Sequence, residues 1–335
     1  MPQFKSKYLP ILAILGATLI WASDIILRTE LFKIPAIVVV FLEHFLGLIA
    51  FLFIYRNYLK ELVNLTKSQK LAMLWTGVFA GMLAGLFYTS GLTLVFFASF
   101  SVVVLMQHLQ PVWGIIAARV VLKEKITPLF VGLAAVAIIG AYLITFKNLV
   151  PLLSSGDKTP LAAFFGLLAG IFWGANTAVS KYNLKTISFQ AVSVARFAVA
   201  TVASFVLIVL SIIFNSIFNV KLSGFWGDFG SKFVEVKNFS QVYSLNTIQW
   251  SNLILITVLV GILSISIYYW GLKKVPSKVA TICELGWPMW ALLLDILYFQ
   301  KTFTLTQILG MILLIGSVFI ISITQTSAEP IELEL

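Results

Sequence analysis

Several ionisable side chains lie inside stretches of sequence that are otherwise apolar. Such groups cost about 2.5–3.5 kcal/mol each on membrane-insertion scales, so they usually mark a functional pathway. Groups of these types bind the polar parts of a solute, carry protons or act as general acids and bases. They also bond neighbouring helices to one another, which is the alternative interpretation. The set comprises Asp24, Glu43, His44, His108, Arg196, Glu284 and Asp295, together with the uncharged Gln107, Gln110 and Asn176.

The composition requires a membrane environment for these groups. The 335 residues are 60% hydrophobic and 11% charged, and the mean hydropathy is +1.01, whereas a soluble domain carries about 25% charged residues. The apolar runs do not alternate with polar residues, which excludes a β-barrel. A helix needs about 20 apolar residues to cross the hydrocarbon core. We therefore predict an all-α integral membrane protein with ten transmembrane helices, near 9–28, 34–54, 71–91, 98–118, 128–146, 161–181, 188–214, 250–271, 278–299 and 304–324.

Two halves of the sequence repeat the same landmarks in the same order. Each half has a tryptophan near the end of its first helix, a polar residue at the same distance after it, a tyrosine before a glycine, and a Pro-x-Trp motif. An odd number of helices per half places the second half upside down relative to the first, which is an inverted repeat. We predict a first repeat over 1–150, a second over 151–326 with a long loop at 215–249, and an acidic tail at 327–335. The landmark pairs are Trp21 and Trp173, Asp24 and Asn176, His44 and Arg196, Tyr88 and Tyr268, Gln107 and Glu284, Pro111 and Pro288, and Trp113 and Trp290.

These landmarks resemble the drug/metabolite transporter superfamily, in particular its ten-helix EamA-type members. The similarity covers nearly the whole chain and includes the segments Gly16–Trp21, Gly170–Trp173, Gly271–Pro276 and Gly310–Gly316, with an acidic turn at Glu124. Two departures are His44, where the family often has Arg, and Lys301, where the second acidic turn is expected. The resemblance implies a small-molecule carrier, often an exporter of amino acids, metabolites or drugs. It also implies a central cavity lined by the first four helices of each half.

Depth in the membrane selects the candidate substrate-binding residues. Glu43, His44 and Arg196 lie roughly 12–15 Å into their helices at 1.5 Å per residue, near the midplane where repeat-built transporters bind substrate. Gln107 and Gln110 share one helix face, and Glu284 and Trp287 share the corresponding face in the second half. Tryptophans beside these positions can wall a cavity and stack on a flat substrate, or simply pack. The remaining candidates are Trp21, Tyr88, His108, Trp113, Trp173, Tyr268 and Trp290.

Other positions are candidates for gates and for proton coupling. Asp24 lies nearer the outer face and Asn176 nearer the inner face, while Pro111 and Pro288 interrupt their helices. In the predicted spans, four carboxylates face a single permanently charged base, Arg196, and Glu43 is its expected partner. The surplus of carboxylates favours proton exchange through Glu43 and Glu284, a substrate bearing an amine, or both; a solvated cavity in which all stay ionised is the alternative.

We therefore expect a secondary transporter of small polar or amphipathic metabolites, such as amino acids or drug-like amines, with export as the expected direction. The alternative is a membrane-embedded enzyme that uses the buried His and Glu residues, although no metalloprotease or Walker motif supports it. No cofactor or metal is expected. The expected partners are a small-molecule substrate, lipid, protons and, in a homodimer, a second copy. Nucleic acid is not expected, because the Lys and Arg residues behind the net charge of +10 are dispersed between apolar stretches.

Basic residues predict the orientation in the cell (inner) membrane. With both termini in the cytoplasm, the inside loops contain the larger share of Lys and Arg. A cysteine placed in the loop at 215–249 should therefore react with an impermeant thiol reagent applied from outside the cell. Labelling from the cytoplasmic side alone would show the opposite orientation.

Overall fold

The computed structural model describes residues 2–94, 100–146, 159–218, 236, 238–299 and 304–326. Within this part of the chain every regular element is a helix, and eight helices are long and apolar enough to cross a membrane. The all-helical prediction is therefore confirmed. The acidic tail, Lys301 and most of the 215–249 loop lie outside the described residues, although the loop contains a short helix at Ser240–Tyr243. The proposed boundaries between the repeats and the tail remain predictions.

Ten helices, α1 to α10, correspond to the ten predicted spans. Eight are continuous, and α4 and α9 each consist of two segments. Their bounds are Pro2–Arg28 (α1), Ala36–Ile54 (α2), Lys67–Leu94 (α3), Phe100–Gln107 and Gln110–Val121 (α4), Pro128–Thr145 (α5), Thr159–Leu184 (α6), Phe189–Phe218 (α7), Thr247–Leu272 (α8), Ser277–Cys283 and Gly286–Phe299 (α9), and Leu305–Thr326 (α10).

The two interrupted helices occupy equivalent places in the two halves. Each break lies just before a proline, Pro111 in α4 and Pro288 in α9, because a proline cannot continue the backbone hydrogen bonding of the preceding turn. The turns at the breaks contain polar residues of the predicted site, Gln107 to Gln110 and Glu284. Broken helices of this kind are tolerated in a membrane where they are buried within protein or line a cavity.

The third helix of each half repeats two further details. Both α3 and α8 begin with a capping box, Thr66 with Gln69 and Asn246 with Gln249, in which side chain and backbone satisfy each other's free donors. Both also contain a π-helical stretch in the middle, Thr76–Leu83 and Thr257–Leu263. Such stretches often occur at functional sites because they redirect side chains and backbone groups.

Helices of the two halves interleave rather than forming two separate bodies. Helix α1 packs against α8 and the second segment of α9, and we call these three the α1 bundle. Helix α6 packs against α3 and α4, and we call these the α6 bundle. Helix α2 packs against α7, and α5 packs against α10. We name the two ends of the molecule after Arg28, where α1 ends, and Lys181, near the end of α6.

The contact between α5 and α10 depends on two facing glycines. A Cβ atom added at Gly310 would lie 2.6 Å from the carbonyl oxygen of Gly140 and 2.9 Å from the amide nitrogen of Ile144, whereas Gly316 on the same helix has open space. Small residues allow such close backbone approach between membrane helices. This contact holds the fifth helices of the two halves together.

We expect Gly310→Ala to lower the apparent melting temperature in detergent, with a cost of about 1–3 kcal/mol from overpacking. Gly316→Ala is the matched control, and it should be neutral or slightly stabilising because alanine favours a helix. Equal melting temperatures for the two variants would contradict this packing.

Candidate functional site

A cavity of about 230 Å³ lies at the centre of the helix bundle. Its walls come from the first four helices of each half, as the sequence resemblance implied. Among the described residues, α5 and α10 contribute none of the lining. The predicted site residues that line it are Trp21, Asp24, Glu43, His44, Tyr88, Gln107, Gln110, Trp173, Asn176, Arg196, Tyr268, Glu284 and Trp287.

Two tryptophan–tyrosine pairs form aromatic walls of the cavity. The ring centroids of Trp21 and Tyr268 are 5.1 Å apart, with an interplanar angle of 53°, and those of Trp173 and Tyr88 are 5.4 Å apart, with an angle of 59°. Each pair joins the first helix of one half to the third helix of the other. The geometry therefore repeats the inverted symmetry read from the sequence.

The indole N–H groups of Trp21 and Trp173 each donate a hydrogen bond to the third helix of the opposite half. Trp21 Nε1 donates to Ser264 Oγ at 2.7 Å, and Trp173 Nε1 donates to the carbonyl oxygen of Ala80 at 3.1 Å. Ala80 lies in the π-helical stretch of α3, and Ser264 directly follows that of α8. Because both acceptors belong to the opposite half, each indole ring is fixed by the helix it faces.

Glu284 lies among neutral hydrogen-bond donors at the side of the cavity nearest the Lys181 end, which we call the floor. Its Oε1 accepts hydrogen bonds from the hydroxyls of Tyr268 at 2.5 Å and Thr177 at 2.9 Å, and its Oε2 accepts from Gln110 Nε2. Gln107 Nε2 in turn donates to Gln110 Oε1 at 2.8 Å, which fixes the orientation of that amide. The side chain of Glu284 is buried, and the hydrogen bonds identified here all come from uncharged groups.

An ionic cluster forms the wall of the cavity near the Arg28 end. Arg28 Nε lies 2.5 Å from Asp24 Oδ2, and Arg28 Nη2 lies 3.0 Å from Glu43 Oε1. The expected Glu43–Arg196 pair is therefore wrong, because Arg28 neutralises Glu43 instead. Arg28 lies at the end of the predicted first span, and its position one helical turn after Asp24 is the sequence signal for this ion pair. With two carboxylates and one guanidinium, the cluster carries a formal charge of −1.

Arg196 of α7 also lines the cavity and makes no ion pair with a described carboxylate. Its Nη1 donates to the hydroxyl of Tyr269 at 3.1 Å and its Nη2 to the carbonyl oxygen of Ala80 at 3.4 Å. Its Nε is buried without a hydrogen-bond partner. Ser180 connects this group to the predicted gate residue, since its hydroxyl lies 3.2 Å from Tyr269 Oη and 3.2 Å from Asn176 Oδ1.

A hydrogen bond and a ring contact fix the side chain of His44 in the cavity wall. Its Nδ1 bonds the carbonyl oxygen of Val40 at 2.8 Å, and its ring lies 5.0 Å from that of Phe197. Since a carbonyl oxygen can only accept, Nδ1 carries the proton in this bond. The second ring nitrogen faces α3 near Gly81.

Five of the predicted site residues lie outside the cavity lining. His108 bonds the carbonyl oxygen of Val104 at 2.6 Å, and its ring lies 5.5 Å from that of Trp287. Trp290 Nε1 donates to the carbonyl oxygen of Leu15 at 2.9 Å. These contacts are packing contacts, which was the alternative interpretation for the tryptophans. The other three are Trp113, Pro111 and Pro288.

Charged side chains join the two halves at the Lys181 end. Both oxygens of Glu124 accept from the backbone amides that begin α9, at 2.8 Å from Ser277 and 3.0 Å from Lys278. The acidic turn at Glu124 therefore caps a helix of the other half, where the helix dipole favours negative charge. Similarly, Glu61 of the first half accepts from the amide of Ser188 before α7. Within the second half, Lys181 donates to the carbonyl oxygens of Leu272 and Lys273 at the end of α8.

The lining does not reach these contacts at the Lys181 end. Within α6 it extends to Thr177 and within α8 to Tyr268, while Ser180 and Tyr269 lie beyond it. At the other side it includes Leu92 and Ile256, in the halves of α3 and α8 nearest Arg28. The cavity therefore extends from the centre toward the Arg28 end.

Sequence reasoning missed several lining residues that carry no charge. Thr177, which donates a hydrogen bond to Glu284, directly follows the predicted gate residue Asn176. Threonine in a membrane helix, however, often bonds only the backbone of its own helix. Phe197 and the small residues around Gly261 have no distinguishing chemistry and could be found only from the packing of α7 and α8. Each becomes part of the site because of its neighbours in space.

Comparisons with known proteins agree with this architecture. The sequence model of the EamA-like transporter family matches residues 8–146 and 160–323. A curated relative, "Riboflavin transporter ImpX" of Fusobacterium nucleatum subsp. nucleatum, is 31% identical over 314 residues, covering 93% of this chain and 96% of the relative. Both matches point to a transporter, not to the alternative of an enzyme.

A solved crystal structure shows the same fold. It superimposes with a TM-score of 0.67 at 13% identity, covering 96% of this chain and 99% of its own. With the two family matches, one on each five-helix half, the conclusion is direct: the chain belongs to the EamA-like transporter family.

Proposed function

We propose that the protein is a secondary transporter that moves a flat heteroaromatic metabolite of the riboflavin class through its central cavity by alternating access. The observation that carries this proposal is the pair of aromatic walls, Trp21 with Tyr268 and Trp173 with Tyr88, facing one cavity from opposite halves. Aromatic side chains bind flat rings by stacking. The relative named for riboflavin transport supports the same substrate class.

Arg196 supplies the donors for the polar edge of such a ring. A guanidinium stays charged when buried and needs acceptors, yet in the described structure its partners are one hydroxyl and one carbonyl oxygen. Riboflavin carries two carbonyl oxygens on one edge of its planar ring. We assign Arg196 to that edge.

The polar groups around the rest of the cavity suit a polyhydroxyl tail. Carboxylate oxygens of Asp24 and Glu43 and the amides of Gln107 and Gln110 accept and donate hydrogen bonds at the cavity wall. Buried Asp24 Oδ1 has no partner in the described structure. A hydroxyl-rich substrate would satisfy such groups without introducing charge.

A substrate with an amine, such as an amino acid or an amine drug, is the second candidate. The charge of −1 on the Asp24–Arg28–Glu43 cluster favours it, because an ammonium group would neutralise the excess carboxylate. The aromatic walls and the curated relative favour the flavin class. Competition between the two substrate types distinguishes them.

In the proposed orientation both termini face the cytoplasm, so that the Arg28 end faces outward across the cell inner membrane. Asp24 and Asn176 then belong to the outer and inner gates, and the broken helices at Pro111 and Pro288 are the places where the gates bend. Export remains a prediction, because a secondary carrier moves its substrate in the direction set by the gradients applied to it.

Flux measurements in proteoliposomes test the function. Liposomes containing the purified protein and unlabelled riboflavin should exchange it for external labelled riboflavin, and empty liposomes should not. Excess amino acids or amines should leave this exchange unchanged. Exchange of an amine in place of riboflavin would support the second candidate, and exchange of neither would contradict both.

Removal of one aromatic wall should weaken riboflavin binding. We expect Trp21→Leu and Trp173→Leu each to raise the dissociation constant about tenfold, because stacking on an aromatic side chain is worth about 1–3 kcal/mol. Quenching of riboflavin fluorescence by the detergent-solubilised protein measures this. Trp250→Leu, which changes a tryptophan outside the cavity lining, is the matched control. Equal dissociation constants for all three variants would exclude the aromatic walls from the binding site.

Loss of the guanidinium should be more severe. We expect Arg196→Ala to abolish riboflavin exchange and Arg196→Lys to retain little, because an ammonium group cannot reproduce the planar array of donors. The control is Arg56→Ala, which removes the same charge from an exposed position. Wild-type exchange in Arg196→Ala would rule out its role in the site.

A further inference from the structure

Glu284 connects the α1 bundle and the α6 bundle at the floor of the cavity. Tyr268 belongs to the α1 bundle, and Thr177 and Gln110 belong to the α6 bundle. Glu284 lies in the break of α9, directly before the segment that belongs to the α1 bundle. The carboxylate therefore accepts hydrogen bonds from both bundles, from Tyr268 of one and from Thr177 and Gln110 of the other. The first segment of α9, which precedes Glu284, touches both α4 and α6. The carboxylate is thus placed where relative movement of the bundles must break hydrogen bonds.

No cation balances Glu284 within the described structure. Its neighbours on α4 and α6 are amides and hydroxyls, and Arg196 of α7 is bonded to Tyr269 instead. Glu43, the other proton candidate, is paired with Arg28. Proton binding can therefore change the charge at Glu284 without disturbing an ion pair. Of the other titratable groups near Glu284, Tyr268 of α8 bonds it directly, Cys283 of α9 precedes it, and His108 of α4 bonds the carbonyl oxygen of Val104. The further titratable or charged groups that line the same cavity are Asp24 and Arg28 of α1, Glu43 and His44 of α2 and Tyr88 of α3.

The two protonation states of Glu284 hold the bundles differently. As a carboxylate it only accepts, and three donors converge on it. Once Glu284 is protonated, one of its oxygens carries a hydrogen and must donate. A hydroxyl that donates to this oxygen in the ionised state then has to turn and accept from it. Gln110 cannot turn its amide to help, because its own oxygen already accepts from Gln107. Protonation therefore replaces charge-assisted bonds between the bundles with weaker neutral ones.

We infer that Glu284 is a proton-operated latch between the α1 and α6 bundles. In the ionised state, the carboxylate holds the floor of the cavity closed through its hydrogen bonds to both bundles. A proton that enters from the Arg28 end releases the floor and allows the cavity to open toward the Lys181 end. Transport of the substrate is thereby coupled to a proton through Glu284, and Glu43 stays ionised. This inference rests on the proposed transport function.

Two measurements on the same proteoliposomes separate the latch from the transport function. The first is riboflavin exchange at equal pH on both sides, which needs no driving force. The second is net riboflavin flux driven by a pH gradient at zero membrane potential. For one proton per substrate, a gradient of about one pH unit sustains an accumulation of up to about tenfold. Wild type should show both, whereas any exchange that Glu284→Gln carries out should no longer be accompanied by gradient-driven accumulation.

The matched control is Glu30→Gln, which makes the same chemical change in an exposed ion pair with Lys33 and should behave as wild type. Wild-type exchange that does not respond to the gradient would overturn the latch and leave the transport function intact. A gradient response retained in Glu284→Gln would also overturn it. Absence of exchange in wild type would contradict the transport function itself and the latch with it.

A binding measurement decides the case in which Glu284→Gln exchanges no substrate. The dissociation constant of riboflavin for the detergent-solubilised wild type should change with pH, and that of Glu284→Gln should not. The same pH dependence in both proteins would overturn the latch.

Discussion

Polar groups inside a hydrocarbon solvent must find their partners within the protein, and this constraint organises the whole molecule. In this chain many of the partners come from the opposite half. The indole of Trp21 is bonded to Ser264 and that of Trp173 to Ala80. Glu284 of the second half is bonded to Gln110 of the first. Because several polar groups of each half have their partners in the other half, the two halves interleave and enclose a cavity between them.

Differences between the repeats give the two sides of the cavity different chemistry. Asp24 with Arg28 corresponds to Asn176 with Ser180, so that an ionic pair in one half becomes a neutral hydrogen bond in the other. Gln107 corresponds to Glu284, so that at this position a carboxylate without an ion pair in the described structure occurs in the second half and a neutral amide in the first. Symmetry in the backbone allows two related conformations, and these substitutions make the conformations unequal. A carrier needs that inequality if binding of substrate or a proton is to shift the balance between them.

The sequence was sufficient for the architecture because periodicity and breaks are local properties. Apolar length located the ten spans, and Pro111 and Pro288 identified the two interrupted helices. The landmark pairs identified the inverted repeat, and the cavity lining contains most of the predicted site residues. These predictions depend on residue type and spacing alone.

Ion-pair and hydrogen-bond partners could not be predicted in the same way, because they depend on the angles and register between helices. Depth and pseudo-symmetry matched Glu43 with Arg196, yet Arg28 reaches Glu43 from the end of α1. His108 and Trp290 have suitable chemistry and spacing but point into packing contacts. Thr177 acquires a role only because Glu284 lies opposite it. A residue's own type indicates what it can bind, and the packing of other helices decides what it does bind.

The central claim is that a flat heteroaromatic substrate binds between the two tryptophan–tyrosine pairs. An experimental structure of the protein saturated with riboflavin tests it most directly. The account predicts density for the planar ring in the cavity, in stacking contact with Trp21 or Trp173 and with its carbonyl edge toward Arg196. Riboflavin bound at the protein surface, with the cavity free of ligand density at saturating concentration, would contradict it.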